Sequence, residues 1–169
     1  DFRVIWDNAY CVHHVESTHD ELLNIFEAAK EFSSEDMFIE VTSTSKISFP
    51  GAGVSALAAS DKNIEMIKSR MTVQTIGNDK LNQLRHVAYF KNLDGIKAHM
   101  KKHAAILAPK FQMVIDMLEQ NLQGIGATWL TPKGGYFVCV AAMPGTAKRT
   151  LELCRKAGVV LTEAGATYP

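Results

Sequence analysis

Two short apolar runs set the tightest limit on the fold. Residues 3 to 6 read Arg-Val-Ile-Trp and stop at polar Asp7-Asn8. Met37 to Val41 is a second such run, and it stops at Thr42-Ser43-Thr44-Ser45-Lys46. Between them Leu22, Ile25, Phe26, Ala29 and Phe32 recur at helical spacing, and Thr18 stands three residues before Glu21 in a capping-box arrangement. The pattern predicts a helix over about 20–33. Strand, helix and strand in this order fit a parallel α/β sheet with right-handed crossovers. In open parallel sheets the ligand sits just outside the carboxyl ends of the strands. Asp7 and Lys46 both occupy that kind of position.

The rest of the chain extends this frame. Pro50-Gly51-Ala52-Gly53 reads as a turn, and Val54 to Ser60 as a strand or packed segment leaving the strand ends. Asp61 is placed to cap a helix carrying Ile64, Ile67 and Met71. Thr72 to Asn78 reads as an exposed connection, and Asp79 opens a helix to about Tyr89. The longest helical stripe runs from Leu93 to Leu122, with Pro109 inside it and a kink expected near Ile106. After Gly124 and Gly126 the period changes. Ala127 to Leu130 and Tyr136 to Ala141 read as strands around Thr131-Pro132-Lys133-Gly134-Gly135, followed by a helix over 146–157 and a last strand at Val159 to Thr162. The expected organisation is an α/β part over 1–85 and a smaller α+β part over 86–169.

Charge and composition exclude several classes. Lys plus Arg is 18 and Asp plus Glu is 18, which argues against a large nucleic-acid footprint or an anionic membrane surface. No apolar run reaches membrane-spanning length, and the N-terminus has no signal-peptide pattern. Cys11, Cys139 and Cys154 are odd in number and widely spaced. They suggest reduced thiols and a cytoplasmic setting rather than a disulfide framework. The chain has no starting Met, opens directly into a strand-like run and closes on the turn-rich Ala164 to Pro169. Both ends read as cut from something longer.

Three segments carry chemistry together: Asp7-Asn8-Ala9-Tyr10, Ser43-Thr44-Ser45-Lys46 and Pro132-Lys133-Gly134-Gly135-Tyr136-Phe137. A pyridine-aldehyde cofactor needs an amine for a Schiff base and a carboxylate that keeps its ring nitrogen protonated. It also needs a donor for its ring oxygen, and hydroxyls with backbone N–H groups for its phosphate. Lys46, Asp7, Tyr10, Ser43 and Ser45 offer one group for each task.

Asp7-x-x-Tyr10 with Ser43-x-Ser45-Lys46 resembles the cofactor-binding signature of class I aminotransferases of pyridoxal-phosphate (PLP) fold type I. Thr42 to Ile47 with Pro50-Gly51-Ala52-Gly53, then Gln74-Thr75-Ile76-Gly77, then Pro132 to Phe137, is similar to a bacterial aspartate-aminotransferase-like group, called MocR-type or class Ic. The resemblance implies that residues 1–85 are the C-terminal part of the large PLP-binding domain and 86–169 an incomplete small domain. It implies that Asp7 pairs with the pyridine nitrogen, Tyr10 with the ring oxygen, and Ser43 and Ser45 with the phosphate. Lys46 forms the Schiff base and then shuttles a proton at the substrate α-carbon. An amino acid, with an aspartate-like donor favoured, and a 2-oxo acid are the implied substrates, in a homodimer.

Two departures stand out. Many class I members carry an Arg eight residues after the Schiff-base Lys, where this chain has Val54. The family's carboxylate-binding Arg is expected beyond Pro169, and its ring-stacking aromatic and phosphate-binding loop before Asp1. The alternative reading is the PLP-binding, effector-sensing domain of a MocR-type transcriptional regulator.

Other features receive plainer readings. Cys11-Val12-His13-His14 has no second ligand pair at metal-site spacing, and no metal is expected. His86, His99 and His103 read as helix residues, with His99 and His103 at the surface. Trp6 and Trp129 read as core, Tyr136 as strand packing, Lys133 as a turn residue, and Gly51-Ala52-Gly53 as a turn.

Overall fold

A computed structural model describes residues 2–163; the turn expected over 164–169 lies outside them. The chain divides into two compact units. One comprises Asp1–Ile106 with Lys133–Gly135, the other Leu107–Pro132 with Tyr136–Pro169.

The first unit is built on a three-stranded sheet, β1 (Val4–Asp7), β2 (Phe38–Ser43) and β3 (Ser55–Ala59), in that spatial order. β1 and β2 pair in parallel, with Asp7 opposite Val41. β2 and β3 pair antiparallel, with Ser43 opposite Ser55, so the sheet is mixed rather than parallel throughout. The reason is the short connection: eleven residues, 44–54, separate the strands, and Thr44 N–H donates to Val54 O at 2.8 Å to begin the ladder. A parallel return would need a longer crossover.

The expected helix over 20–33 forms only as α1 (Ile25–Lys30). Asn24 starts it, its side-chain oxygen accepting from Phe26 N and Glu27 N at 3.2 and 3.3 Å, an N-cap that supersedes the Thr18–Glu21 pair. Ile25 and Ala29, one turn apart, are the buried face, while Phe32 lies past the end and is exposed. Asp36 then ties the start of β2 to α2 (Asp61–Gln74): Asn63 Nδ2 donates to Asp36 O at 2.8 Å, and Ser60, the true N-cap of α2, donates to the Asp36 carboxylate.

Asp79 caps α3 (Lys80–Phe90) through Asn82 N at 2.9 Å. The inward stripe of α3 is Asn82, His86 and Phe90, at i, i+4 and i+8. Helix α4 (Leu93–Leu122) continues through Pro109. Ile47, Phe90 and Met100 form a buried cluster with Val12 and Ile96 against it.

The second unit holds the latter part of α4, a two-residue antiparallel pair β4 (Thr128–Trp129) and β5 (Val140–Ala141), and α5 (Ala147–Lys156). Gly158 ends α5 at φ 84, and Val159 N–H turns back to Cys154 O at 2.8 Å. That closure needs the left-handed conformation glycine tolerates. The chain beyond it, Val159 to Thr162, is not a strand as expected, and Tyr136 precedes β5 rather than lying within it. Among the described residues no helix is long and apolar enough to cross a membrane.

Candidate active site

Because β1 and β2 are parallel neighbours, their carboxyl ends share one edge of the sheet, and Asp7 and Ser43 are their last residues. Asp7 is exposed, and its Oδ1 accepts the Ala9 N–H at 3.1 Å. This Asx turn sets the carboxylate from within two residues. The loop beyond is fastened to β2 through Asn8. Its N–H donates to Val41 O at 2.8 Å, its Nδ2 to Glu40 Oε1 at 2.7 Å, and its carbonyl accepts the Thr42 hydroxyl at 3.2 Å. Tyr10 stands edge-on to His13, with ring centroids 5.2 Å apart.

The turn after β2 carries Lys46. Ile47 N–H and Ser48 N–H both donate to Thr44 O, at 2.9 and 2.8 Å. Lys46 is exposed, whereas Ile47 beside it is buried in the cluster with Phe90 and Met100. Ser45 N–H lies 3.4 Å from Ser43 Oγ. A Cβ at Gly53 would sit 2.8 Å from Ser45 Oγ and 3.2 Å from Ser45 N, so only glycine leaves Ser45 its place. Val54 meets Thr44 through its backbone, its N–H reaching Thr44 Oγ1 at 2.9 Å. Where many class I members have an Arg, this chain has a strut for the turn.

Histidines from three segments grip that turn. His13 Nε2 lies 3.3 Å from Lys46 O, and His99 Nε2 lies 2.9 Å from Ile47 O. A carbonyl only accepts, so both rings carry their proton on Nε2. His86 lies under the other end, against Thr44 and Ser48. The surface reading of His99 and His103 is therefore corrected, since both are half-buried, and His86, read only as a helix residue, is buried. His13, only 3% exposed, is held below its ordinary basicity chiefly by burial, against the raising effect of its contacts with the Lys46 and Tyr10 backbone. A sequence signal for His86 exists in hindsight, since it shares the i, i+4, i+8 stripe with Asn82 and Phe90. None marks His13.

The third motif meets the His13 segment. Gly135 N–H donates to His13 O at 2.8 Å, and Val15 N–H to Lys133 O at 3.0 Å. A Cβ at Gly134 would come within 2.7 Å of His13 O, which explains a glycine there. Lys133 pairs with Asp20 at 2.7 Å on the surface.

Known proteins match the chain along its whole length. A family model described as aspartate amino-transferase matches residues 1–169. An aspartate aminotransferase of Corynebacterium glutamicum is 44% identical over 170 residues, covering 100% of this chain and 39% of that protein. The solved structure of an aspartate transaminase from Corynebacterium glutamicum matches with a TM-score of 0.92 at 43% identity, covering 100% of this chain and 40% of that one. An alpha-aminoadipate aminotransferase of Thermus thermophilus, solved in complex with N-(5'-phosphopyridoxyl)-L-leucine, shares the fold. Its TM-score is 0.73 at 21% identity, over 94% of this chain and 39% of that one. The chain spans about two fifths of the length of the curated relatives it matches.

Proposed function

The chain belongs to the aspartate amino-transferase family, and from that membership we propose that the whole protein moves an amino group between an amino acid and a 2-oxo acid, with PLP as carrier and Lys46 as its covalent anchor. The observation that carries the reading is the shared sheet edge. A carboxylate, an amine and two hydroxyls follow the ends of two in-register parallel strands. The 44% identity to an aspartate aminotransferase favours an aspartate-like donor.

The residues fit the group. Bound PLP supplies a protonated pyridine ring that withdraws electrons from the substrate α-carbon. The Asp7 carboxylate, fixed by Ala9 through Oδ1, would face the ring nitrogen and favour its protonated form by opposite charge. The Tyr10 hydroxyl would serve the ring oxygen. Ser43 and Ser45 would hold the phosphate through hydroxyls and backbone N–H, Gly53 leaving Ser45 its place. The Lys46 amine would anchor the cofactor and would carry the proton at the substrate α-carbon. Its exposed position on a turn whose backbone is tethered and whose Ile47 is buried suits a group that must swing from a fixed base.

Borohydride reduction of the PLP-loaded full-length protein, followed by peptide mapping, tests the anchor. Pyridoxyl is expected on Lys46, and Lys46→Ala should bind PLP without the covalent link and lose amino transfer. A label on another lysine rejects the assignment. Covalent loading without amino transfer favours the effector-sensing regulator. The same preparation should sediment as a homodimer; an active monomer would reject that part.

A further inference from the structure

We propose that His86 is a positioning residue: acting through Ser48 and Thr44, it fixes the turn from which Lys46 works. The inference rests on Lys46 being the reactive lysine. His86 lies at the middle of the buried stripe of α3, 9% exposed. Its Nδ1 is 2.8 Å from Asn82 O, one helical turn back. That carbonyl can only accept, so Nδ1 bears the proton and Nε2 presents a lone pair. Two hydroxyls converge on Nε2, Ser48 Oγ at 2.7 Å and Thr44 Oγ1 at 3.0 Å.

The donors and acceptors can be counted through. The Ser48 hydroxyl, the nearer, donates to Nε2. Ser48 Oγ also lies 3.2 Å from Thr44 Oγ1 and 3.1 Å from Thr44 O, and Thr44 Oγ1 accepts the Val54 N–H at 2.9 Å. The groups around Nε2 are thus bonded to one another, and such a half-buried network rigidifies the backbone it joins. The network spans the turn from Thr44 to Ser48, with Lys46 midway. Asn82 adds a second strap from the same helix face, its Nδ2 donating to Ala52 O at 2.8 Å and reaching Gly53 O at 3.2 Å. Helix α3 therefore sets the turn and the glycine loop as one piece.

His86 is unlike the other two histidines. His13 and His99 donate to carbonyls of single residues, Lys46 and Ile47. Of the three, His86 meets the turn with an accepting nitrogen and reaches both of its ends. A lysine that must reach the α-proton tolerates little drift of its base, since misplacement of about 1 Å can cost on the order of a hundredfold in rate.

The test uses the full-length protein with His86→Phe, which keeps a ring and removes both nitrogens, and His86→Gln, which restores an acceptor near the Nε2 position. Ser48→Ala, a smaller change at the same bond, serves if His86→Phe does not fold. Amide hydrogen exchange is followed at Ile47 and Ser48 without added PLP, and kcat and KM are measured with it. In His86→Phe or Ser48→Ala, exchange at both amides should quicken by roughly tenfold. The value of kcat should fall by about tenfold to a hundredfold, with KM for the amino donor little changed, and His86→Gln should recover part of both. Unchanged exchange in His86→Phe and Ser48→Ala overturns the proposal, as does a fall in kcat matched by a rise in KM. Borohydride labelling of wild type is read alongside: a label away from Lys46 overturns the reading of Lys46, while the exchange result still reports on what His86 holds.

Discussion

The two strand ends that share an edge are held in different ways. At the end of β1, Asp7 is set by its neighbours: Ala9 fixes the carboxylate, and Asn8 fastens the loop to the adjacent strand. At the end of β2, the turn bearing Lys46 is set from far along the chain, by His13, His86 and His99, which lie 33 to 52 residues away from the groups they hold. A buried side chain from the turn itself, Ile47, anchors it against Phe90 and Met100. In the proposed roles, Asp7 need only be present and aimed, whereas Lys46 must move and return, which suits a base tied into the core.

If that contrast is right, the largest effect on folding comes from a residue that touches neither strand end. Phe90 is 6% exposed and packs beneath Ile47. Phe90→Ala should cost about 3–5 kcal/mol of stability, measured by urea unfolding of the full-length protein, and should loosen the Lys46 turn as it does so. A loss below about 1 kcal/mol would mean the turn does not depend on this cluster.

Asp7→Ala should behave in the opposite way. Asp7 is exposed, and its carboxylate accepts the Ala9 N–H within the same loop. Stability should change by roughly 0.5 kcal/mol or less. The chemical step, read as exchange of the substrate α-proton with solvent, should fall by on the order of 10²–10³-fold, while PLP still loads onto Lys46. An unchanged exchange rate would remove Asp7 from the pyridine nitrogen.

The same contrast explains what could be read from the sequence. Asp7 and Lys46 stand next to apolar runs, and a strand end is visible because hydrophobicity stops there. The Leu93–Leu122 helix was legible because its stripe is long enough to outweigh Pro109. What could not be read depends on which hydrogen-bond partners the chain finds. β3 reverses because 44–54 closes on itself through Thr44 and Val54, and periodicity carries no trace of that. The helix over 20–33 shortens to α1 because Asn24, rather than Thr18, finds the first amides. The role of His86 could not be read because a single polar residue on an amphipathic helix usually faces solvent. Here the stripe that faces inward is itself polar, Asn82 and His86 above Phe90, and the leucines Leu81 and Leu84 face out.

The smallest effect is one of pH, and it bears on a residue that joins the two strand ends. His13 lies on the loop after β1 and holds the turn after β2. Burial lowers its pKa from the ordinary 6.5, the Lys46 and Tyr10 backbone contacts oppose this, and nearby His103 and His14 add to the lowering. His14 is lowered by burial and by His19, on which its ring stacks at 3.8 Å, and His103 by burial and by His99. For a histidine lowered in the folded protein, the unfolded chain takes up the proton first. The stability is fully present above about pH 6.5 and is lost as pH falls through the folded values. Asp36, lowered from 3.8 by Ser60 and then Lys62, gives way only in the carboxylate range below that, so the two windows separate. The melting temperature of the full-length protein without added PLP should hold from about pH 8 to 7 and decline below about 6.5. In His13→Gln the decline should be shallower, because the side-chain amide can still donate to Lys46 O but does not titrate. A slope in His13→Gln as steep as in wild type would show that the proton is taken up elsewhere, and that His13 holds the two strand ends together without sensing pH.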